Sequence, residues 1–171
     1  MKNNGRYSIW LIPSGGVYNK LHDLIFQLSK KYFTSNFEPH VTLIGGLIGA
    51  EENILSKTSQ LAAIAKPFAI RLTRVEYLDE ERRCLFIKAE ETDDLINANL
   101  RAREIFNQLQ APKYIPHLSL MYGNFSPEIK EKIIAEMGKN FNINFEVKSF
   151  YLFSTYGEPK DWHRVKEFAL K

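Results

Sequence analysis

FEPHVTLIGG (Phe37–Gly46) and YIPHLSLMYG (Tyr114–Gly123) follow one template: aromatic, any, Pro, His, aliphatic, hydroxyl, Leu, aliphatic, any, Gly. The two histidines stand 77 residues apart (117 − 40), close to half of a 171-residue chain. On a strand, residues i and i+2 point to one face. His40 therefore projects with Thr42, and His117 with Ser119, while Val41, Leu43, Leu118 and Leu120 turn the other way into a core. Related by an approximate two-fold axis, the two polar pairs face each other across a groove.

Working outward, the order strand, helix, histidine strand, helix, strand recurs in each half. Tyr7–Ile12 reads as a strand ended by Pro13-Ser14-Gly15-Gly16. Leu21, Leu24, Ile25, Leu28 and Tyr32 then follow helical spacing. The first histidine strand spans Phe37–Ile44 and closes at Gly45-Gly46. A second helix carries Ile54, Leu61 and Ala65 and stops at Pro67, before a strand over Phe68–Leu78 and a polar turn over Asp79–Arg82. The second half gives a strand over Arg83–Ala89 and a helix capped at Thr92. The histidine strand Tyr114–Tyr122 follows, then a helix opened by Ser126-Pro127 and ended at Gly138. Strands over Phe145–Thr155 and Trp162–Leu170 complete it. No glycine- or serine-rich linker separates the halves, roughly 1–80 and 81–171. The chain thus reads as a single two-lobed α+β or α/β domain over residues 1–171.

Composition narrows the function classes. Twenty-three basic against 20 acidic residues give a net charge of +3, too slight for the basic stripe of a bulk nucleic-acid binder, while a small anionic ligand fits. The single cysteine, Cys84, lies in an apolar run, which rules out an intrachain disulfide and reads as a small buried hydrophobe. Met1–Gly16 has a basic start but only a brief apolar stretch broken by Pro13, and reads as a first strand and not a leader. No segment approaches the roughly 18 apolar residues of a membrane span. A cytoplasmic monomer without membrane association is expected.

The repeated pairs leave three chemistries to weigh: packing, a metal site and a catalytic dyad. A lone histidine on a half-buried strand is usually structural, but two copies of His-x-hydroxyl in matching halves favour function. Two histidines fall short of the three or four ligands of a usual zinc site, and no acidic or cysteine partner recurs beside them. Gly45-Gly46-Leu47-Ile48-Gly49 lacks the Lys-Ser/Thr ending of a phosphate loop. Imidazole titrates near pH 6.5, so one ring can accept a proton while the other donates one. Opening a phosphodiester needs both acts. The Thr42 and Ser119 hydroxyls can meet the non-bridging oxygens, whose charge grows in the transition state. His22 and His163 read as surface residues.

At these residues the chain resembles the two-histidine phosphoesterase superfamily, whose signature is a repeated His-x-Thr/Ser-x, here His40-Val41-Thr42-Leu43 and His117-Leu118-Ser119-Leu120. Within it the chain is most similar to the cyclic phosphodiesterases, including at Tyr7-Ser8-Ile9-Trp10. The resemblance implies an α+β fold of two pseudo-symmetric lobes, each an antiparallel sheet with helices on its outer face, around a central cleft. It implies hydrolysis of ADP-ribose 1″,2″-cyclic phosphate and of nucleoside 2′,3′-cyclic phosphates to 2′-phosphates, by-products of tRNA splicing, without metal or cofactor. His40, Thr42, His117 and Ser119 carry over as the catalytic tetrad. An aromatic residue of the first strand and a tyrosine after the second motif, expected near the substrate's base, fall on Trp10 and Tyr122. Strict alternation puts Tyr122 with Leu118 and Leu120, so it reaches the cleft only where the strand bends or ends near Gly123. The alternatives are a 2′-5′ RNA ligase or phosphodiesterase acting on RNA ends, and a non-catalytic nucleotide-binding module.

Overall fold

A computed structural model describes residues 5–171. The basic start, Met1–Asn4, lies outside the described residues. The elements are β1 (Gly5–Leu11), α1 (Gly15–Tyr32), β2 (Val41–Gly49), α2 (Glu51–Ile64), β3 (Phe68–Glu76), β4 (Leu85–Ala89), α3 (Asp93–Ile105), β5 (His117–Met121), α4 (Pro127–Met137), β6 (Asn140–Val147), β7 (Ser149–Ser154) and β8 (His163–Ala169). The Thr92 hydroxyl caps α3 by accepting from Leu95 N–H, and Pro127 opens α4, as the sequence signals imply.

The strands form one antiparallel sheet in the order β6-β3-β4-β5-β2-β1-β7-β8. The connection from β6 to β7 dictates its shape. The two lie six strand spacings apart, about 29 Å in a flat sheet. Only Lys148 separates them in sequence, and one intervening residue spans about 7 Å at most. The sheet must curl until its ends approach. The Lys148 carbonyl accepts from Leu170 N–H at 2.9 Å, and the Ala65 carbonyl accepts from Lys171 N–H at 3.3 Å, tying the end of the chain to the start of β3.

The α+β architecture and its two antiparallel halves match expectation, each half backed by two helices. The lobes do not follow the division near residue 80, however. One comprises β6-β3-β4-β5, the other β2-β1-β7-β8, so β3 crosses from the first half of the chain to join the second histidine strand. The helices cross too: α1 packs on β5 and β6, whereas α3 packs on β2 and α2 on β7 and β8. Burial of the apolar faces drives this exchange, since α1 and α3 each find strands in the neighbouring lobe while α2 stays on its own.

Several strand boundaries differ from the sequence reading. The run Phe145–Thr155 belongs to two strands, broken at Lys148 where the chain changes lobe. Gly45-Gly46 does not end β2. Tyr7 pairs with Leu47 and Ile9 with Ile44, so the glycines form a bulge opposite Ser8, with Gly46 at φ +65° where a side chain would be strained. The histidine strands begin late, at Val41 and His117, because Pro39 and Pro116 have no N–H to give the ladder.

Candidate active site

The halves meet at β2 and β5 through the single registered pair Val41↔Leu118. These are the middle residues of the two His-x-hydroxyl motifs. Antiparallel counting from that pair sets His40 opposite Ser119 and Thr42 opposite His117. Val41 and Leu118 are fully buried beneath the helices. The four polar side chains consequently share the other face, with the histidines on one diagonal of the patch and the hydroxyls on the other. Diagonal neighbours in a regular ladder lie about 7–8 Å apart, room for one phosphate between the rings.

Each ring is fixed in the same way. His40 Nδ1 lies 2.6 Å from the Glu38 carbonyl, and His117 Nδ1 lies 2.7 Å from the Ile115 carbonyl. A carbonyl only accepts, so both Nδ1 atoms carry the hydrogen and both Nε2 atoms are left for proton transfer.

The surroundings of the two rings differ. His40 is 5% exposed and stacks on Trp10 at 3.6 Å and 8°. Phe153 stacks on Trp10 as well, at 3.9 Å. The indole Nε1–H donates to Ser8 Oγ at 2.9 Å, and Ser8 Oγ donates to the Ile44 carbonyl. With His40 and Phe153 both stacked on it and itself 2% exposed, Trp10 has no free face for a base. It supports His40, and the rings stacked on it here belong to the protein. Burial pulls the His40 pKa down to about 4, opposed by the Glu38 carbonyl and reinforced by charge on His117.

His117 is half-buried and backed by Phe86 at 5.0 Å and 58°. Burial lowers its pKa too, with the Ile115 carbonyl opposing and Arg83 adding to the shift. Phe86 went unread in the sequence. Yet Phe86 pairs with Ser119 as Trp10 pairs with Thr42, and the runs Ile9-Trp10-Leu11 and Leu85-Phe86-Ile87 share an aliphatic-aromatic-aliphatic pattern that an alignment of the halves could have found.

Tyr122 reaches the cleft side after all. Phe86 pairs with Ser119 but Leu85 with Met121, so β5 carries an extra residue around Leu120 and then ends. That bulge shifts the alternation by one and returns Tyr122 to the face of His117 and Ser119. Its ring stacks on Phe37 at 4.0 Å. Burial pushes its hydroxyl up to about 12, offset in part by Ser119 and Arg82, so it stays a neutral hydrogen-bonding group at pH 7. The Ser119 hydroxyl donates to the Arg82 carbonyl at 3.1 Å.

Thr42 is held through its backbone: Tyr114 Oη donates to the Thr42 carbonyl at 2.8 Å across the lobe junction. Burial raises the Tyr114 pKa beyond the usual tyrosine range. Tyr114→Phe leaves that carbonyl unpaired and should lower stability by about 1–3 kcal/mol. Urea denaturation with an unchanged slope checks this, and an unshifted midpoint would mean that the bond contributes nothing. His22 is half-exposed on α1 and His163 is exposed at the start of β8. Among the described residues no three His, Cys, Asp or Glu side chains cluster as a metal site would require. Nor is any helix of the described residues long and apolar enough to cross a membrane.

Residues 25–159 match the family model of the 2′-5′ RNA ligase superfamily. A cyclic phosphodiesterase of Arabidopsis thaliana is 25% identical over 126 residues, covering 73% of this chain and 69% of that protein. Among solved structures, TT0787 of Thermus thermophilus aligns with a TM-score of 0.72 at 19% identity, over 96% of this chain and 97% of that one. LigT of E. coli, crystallised with 3′-AMP, aligns with a TM-score of 0.71 at 15% identity, over 99% of both chains. The same protein has been crystallised with NADP+, with a TM-score of 0.67 at 14% identity over 98% of both chains. These likenesses share the curled-sheet fold described above.

Proposed function

The chain belongs to the 2′-5′ RNA ligase superfamily, and from that premise we propose that it hydrolyses cyclic phosphates on ribose, with His40 and His117 as the proton-transfer pair. The carrying observation is the Val41↔Leu118 pairing, which sets two rings with pinned Nδ1–H groups on one face. The cyclic phosphodiesterase named among its relatives supports the reaction class.

For a nucleoside 2′,3′-cyclic phosphate, one Nε2 takes a proton from water as its oxygen attacks phosphorus. The P–O3′ bond breaks on the opposite side, and the other ring, as imidazolium, gives its Nε2 proton to O3′. The product is a 2′-phosphate. The Thr42 hydroxyl donates to a non-bridging oxygen as its charge grows, and the Ser119 hydroxyl does so by turning its one hydrogen from the Arg82 carbonyl. His40 is the more deeply buried ring, so in the singly protonated pair the proton resides on His117. That makes His40 the base and His117 the acid. The proposed substrates are nucleoside 2′,3′-cyclic phosphates and ADP-ribose 1″,2″-cyclic phosphate, the cyclic phosphates left by tRNA splicing in the cytoplasm.

The pH dependence follows in sign. The base must be neutral, so activity is lost as pH falls toward about 4, where His40 protonates. The acid must be charged, so activity is lost as pH rises through the His117 pKa, which burial holds below the usual 6.5. The profile of kcat/KM, which reports the free enzyme, should be a bell with its maximum on the acid side of 6.5. A profile flat from pH 5 to 9 would contradict the pair. The assay is run in EDTA on both cyclic-phosphate classes and a 2′-5′ oligonucleotide. Turnover of the oligonucleotide alone would favour a 2′-5′ phosphodiesterase, and loss of activity in EDTA would restore a metal.

A further inference from the structure

Helix α4 reverses the usual placement of its side chains. Ile129 is 37% exposed, whereas Lys130, one residue on, is 2% exposed and shares the buried face with Ile133. Among the described residues no other Lys, Arg, Asp or Glu is so deeply buried. The Lys130 Nζ donates to the Leu78 carbonyl at 2.9 Å and lies 5.3 Å from the centre of the Tyr77 ring. The Asp79 carboxylate is 3.9 Å away but fully exposed to solvent, so the carbonyl is the main partner. A buried ion held by one neutral carbonyl is a poor device for stability, since an apolar side chain of the same size fills the position without the desolvation cost. What it supplies is a fixed direction. Leu78 opens a turn that closes where Leu78 N–H donates to the Arg83 carbonyl at 2.9 Å. Two carbonyls of that turn are aimed at the end of β5. Glu81 accepts from Gly123 N–H at 2.8 Å, and Arg82 accepts from the Ser119 hydroxyl at 3.1 Å. The side chains of Asp79–Arg82 are exposed, so little burial holds the turn in place.

We infer that Lys130 is a positioning residue for Ser119. Its ammonium pins the Leu78–Arg83 turn to α4, and the Arg82 carbonyl of that turn sets the orientation from which the Ser119 hydroxyl swings to the phosphate. The inference rests on the proposed function for the step that Ser119 serves, whereas the hold on the turn is a matter of the fold. Without the ammonium the turn shifts, and its carbonyl and the Ser119 hydroxyl shift with it. A small displacement of a group that acts in the transition state is felt in kcat more than in KM.

Two substitutions separate this role from packing. Lys130→Met keeps the stem and removes the ammonium, while Lys130→Gln keeps an N–H donor of nearly the same reach. With a nucleoside 2′,3′-cyclic phosphate as substrate, kcat should fall in the order wild type, Lys130→Gln, Lys130→Met, with the methionine variant slower by about tenfold and KM little changed. A packing role gives the opposite order, because methionine is the better apolar filler. In a Ser119→Ala background neither substitution should cost further kcat. Wild-type kcat in Lys130→Met, a methionine variant faster than the glutamine variant, or a loss undiminished in the Ser119→Ala background would overturn the role. Should Lys130→Met not fold, Lys130→Gln in the two backgrounds decides by the same criterion. Hydrogen exchange at Gly123 N–H, bonded to the Glu81 carbonyl, reads the turn without reference to activity. It should quicken in both variants, and unchanged exchange would overturn the inference even where rates fall. A wild type that turns over no cyclic phosphate, beside variants in which Gly123 exchange quickens, would overturn the proposed function and leave the hold of Lys130 on the turn standing.

Discussion

His117→Ala should lower kcat for a nucleoside 2′,3′-cyclic phosphate by about 10²–10⁴-fold, the usual contribution of one positioned proton donor. His40→Ala should do the same. The leaving 3′-oxygen of ribose is a poor leaving group as an alkoxide, so loss of the acid is felt most at the pH maximum, on the acid side of 6.5. The two variants should differ in stability. His117 is half-buried, and its removal costs little beyond the Ile115 hydrogen bond. His40 is buried against Trp10, and its removal leaves a void beside an indole. Circular dichroism and thermal unfolding establish that each variant is folded before its rate is compared. A folded variant with wild-type kcat would remove that histidine from the mechanism.

Trp10→Ala is expected to be the most damaging change outside the tetrad. It deletes a ring 2% exposed that stacks on His40 and Phe153 and is met edge-on by Trp162. Such truncations cost about 3–5 kcal/mol, equivalent to a Tm lower by roughly 6–20 °C for a chain of this size. Stability alone would not distinguish support of His40 from ordinary packing. The pKa of His40 does. Burial is the main cause of its depression, so admitting water beside the ring should raise it toward 6.5 and move the acid limb of the pH profile upward. Trp10→Phe keeps a stacking ring and loses only the bond to Ser8, so it should retain most activity and a low His40 pKa. An acid limb unmoved in Trp10→Ala would reduce Trp10 to a core residue.

The tetrad was legible because it depends on period two and on a repeat, both visible in residue order. Val41 and Leu118 had to turn inward, and their neighbours had to turn outward together. Less legible was whatever depends on an irregularity in that period. Tyr122 faces the cleft through a bulge around Leu120, and nothing in Leu118-Ser119-Leu120-Met121 marks an extra residue. The exchange of strands between lobes was hidden as well. Its pivot, Lys148, lies inside an alternating run that reads as one strand, and only the burial of both flanks in different lobes splits it. The face that Trp10 shares with Ser8 was legible, but its ring neighbours were not. Strand pairing brought His40 and Phe153 onto the indole, and pairing between distant strands is a property of the fold.

In the proposed mechanism His40 and His117 act in one step. The most direct test is turnover of a nucleoside 2′,3′-cyclic phosphate in EDTA by the wild type, His40→Ala, His117→Ala and the double variant. Groups that act as a unit are non-additive, so the double variant should be little slower than the worse single variant, with 2′-phosphate as the wild-type product. Losses that multiply in the double variant, or wild-type turnover in either folded single variant, would contradict a shared acid–base step.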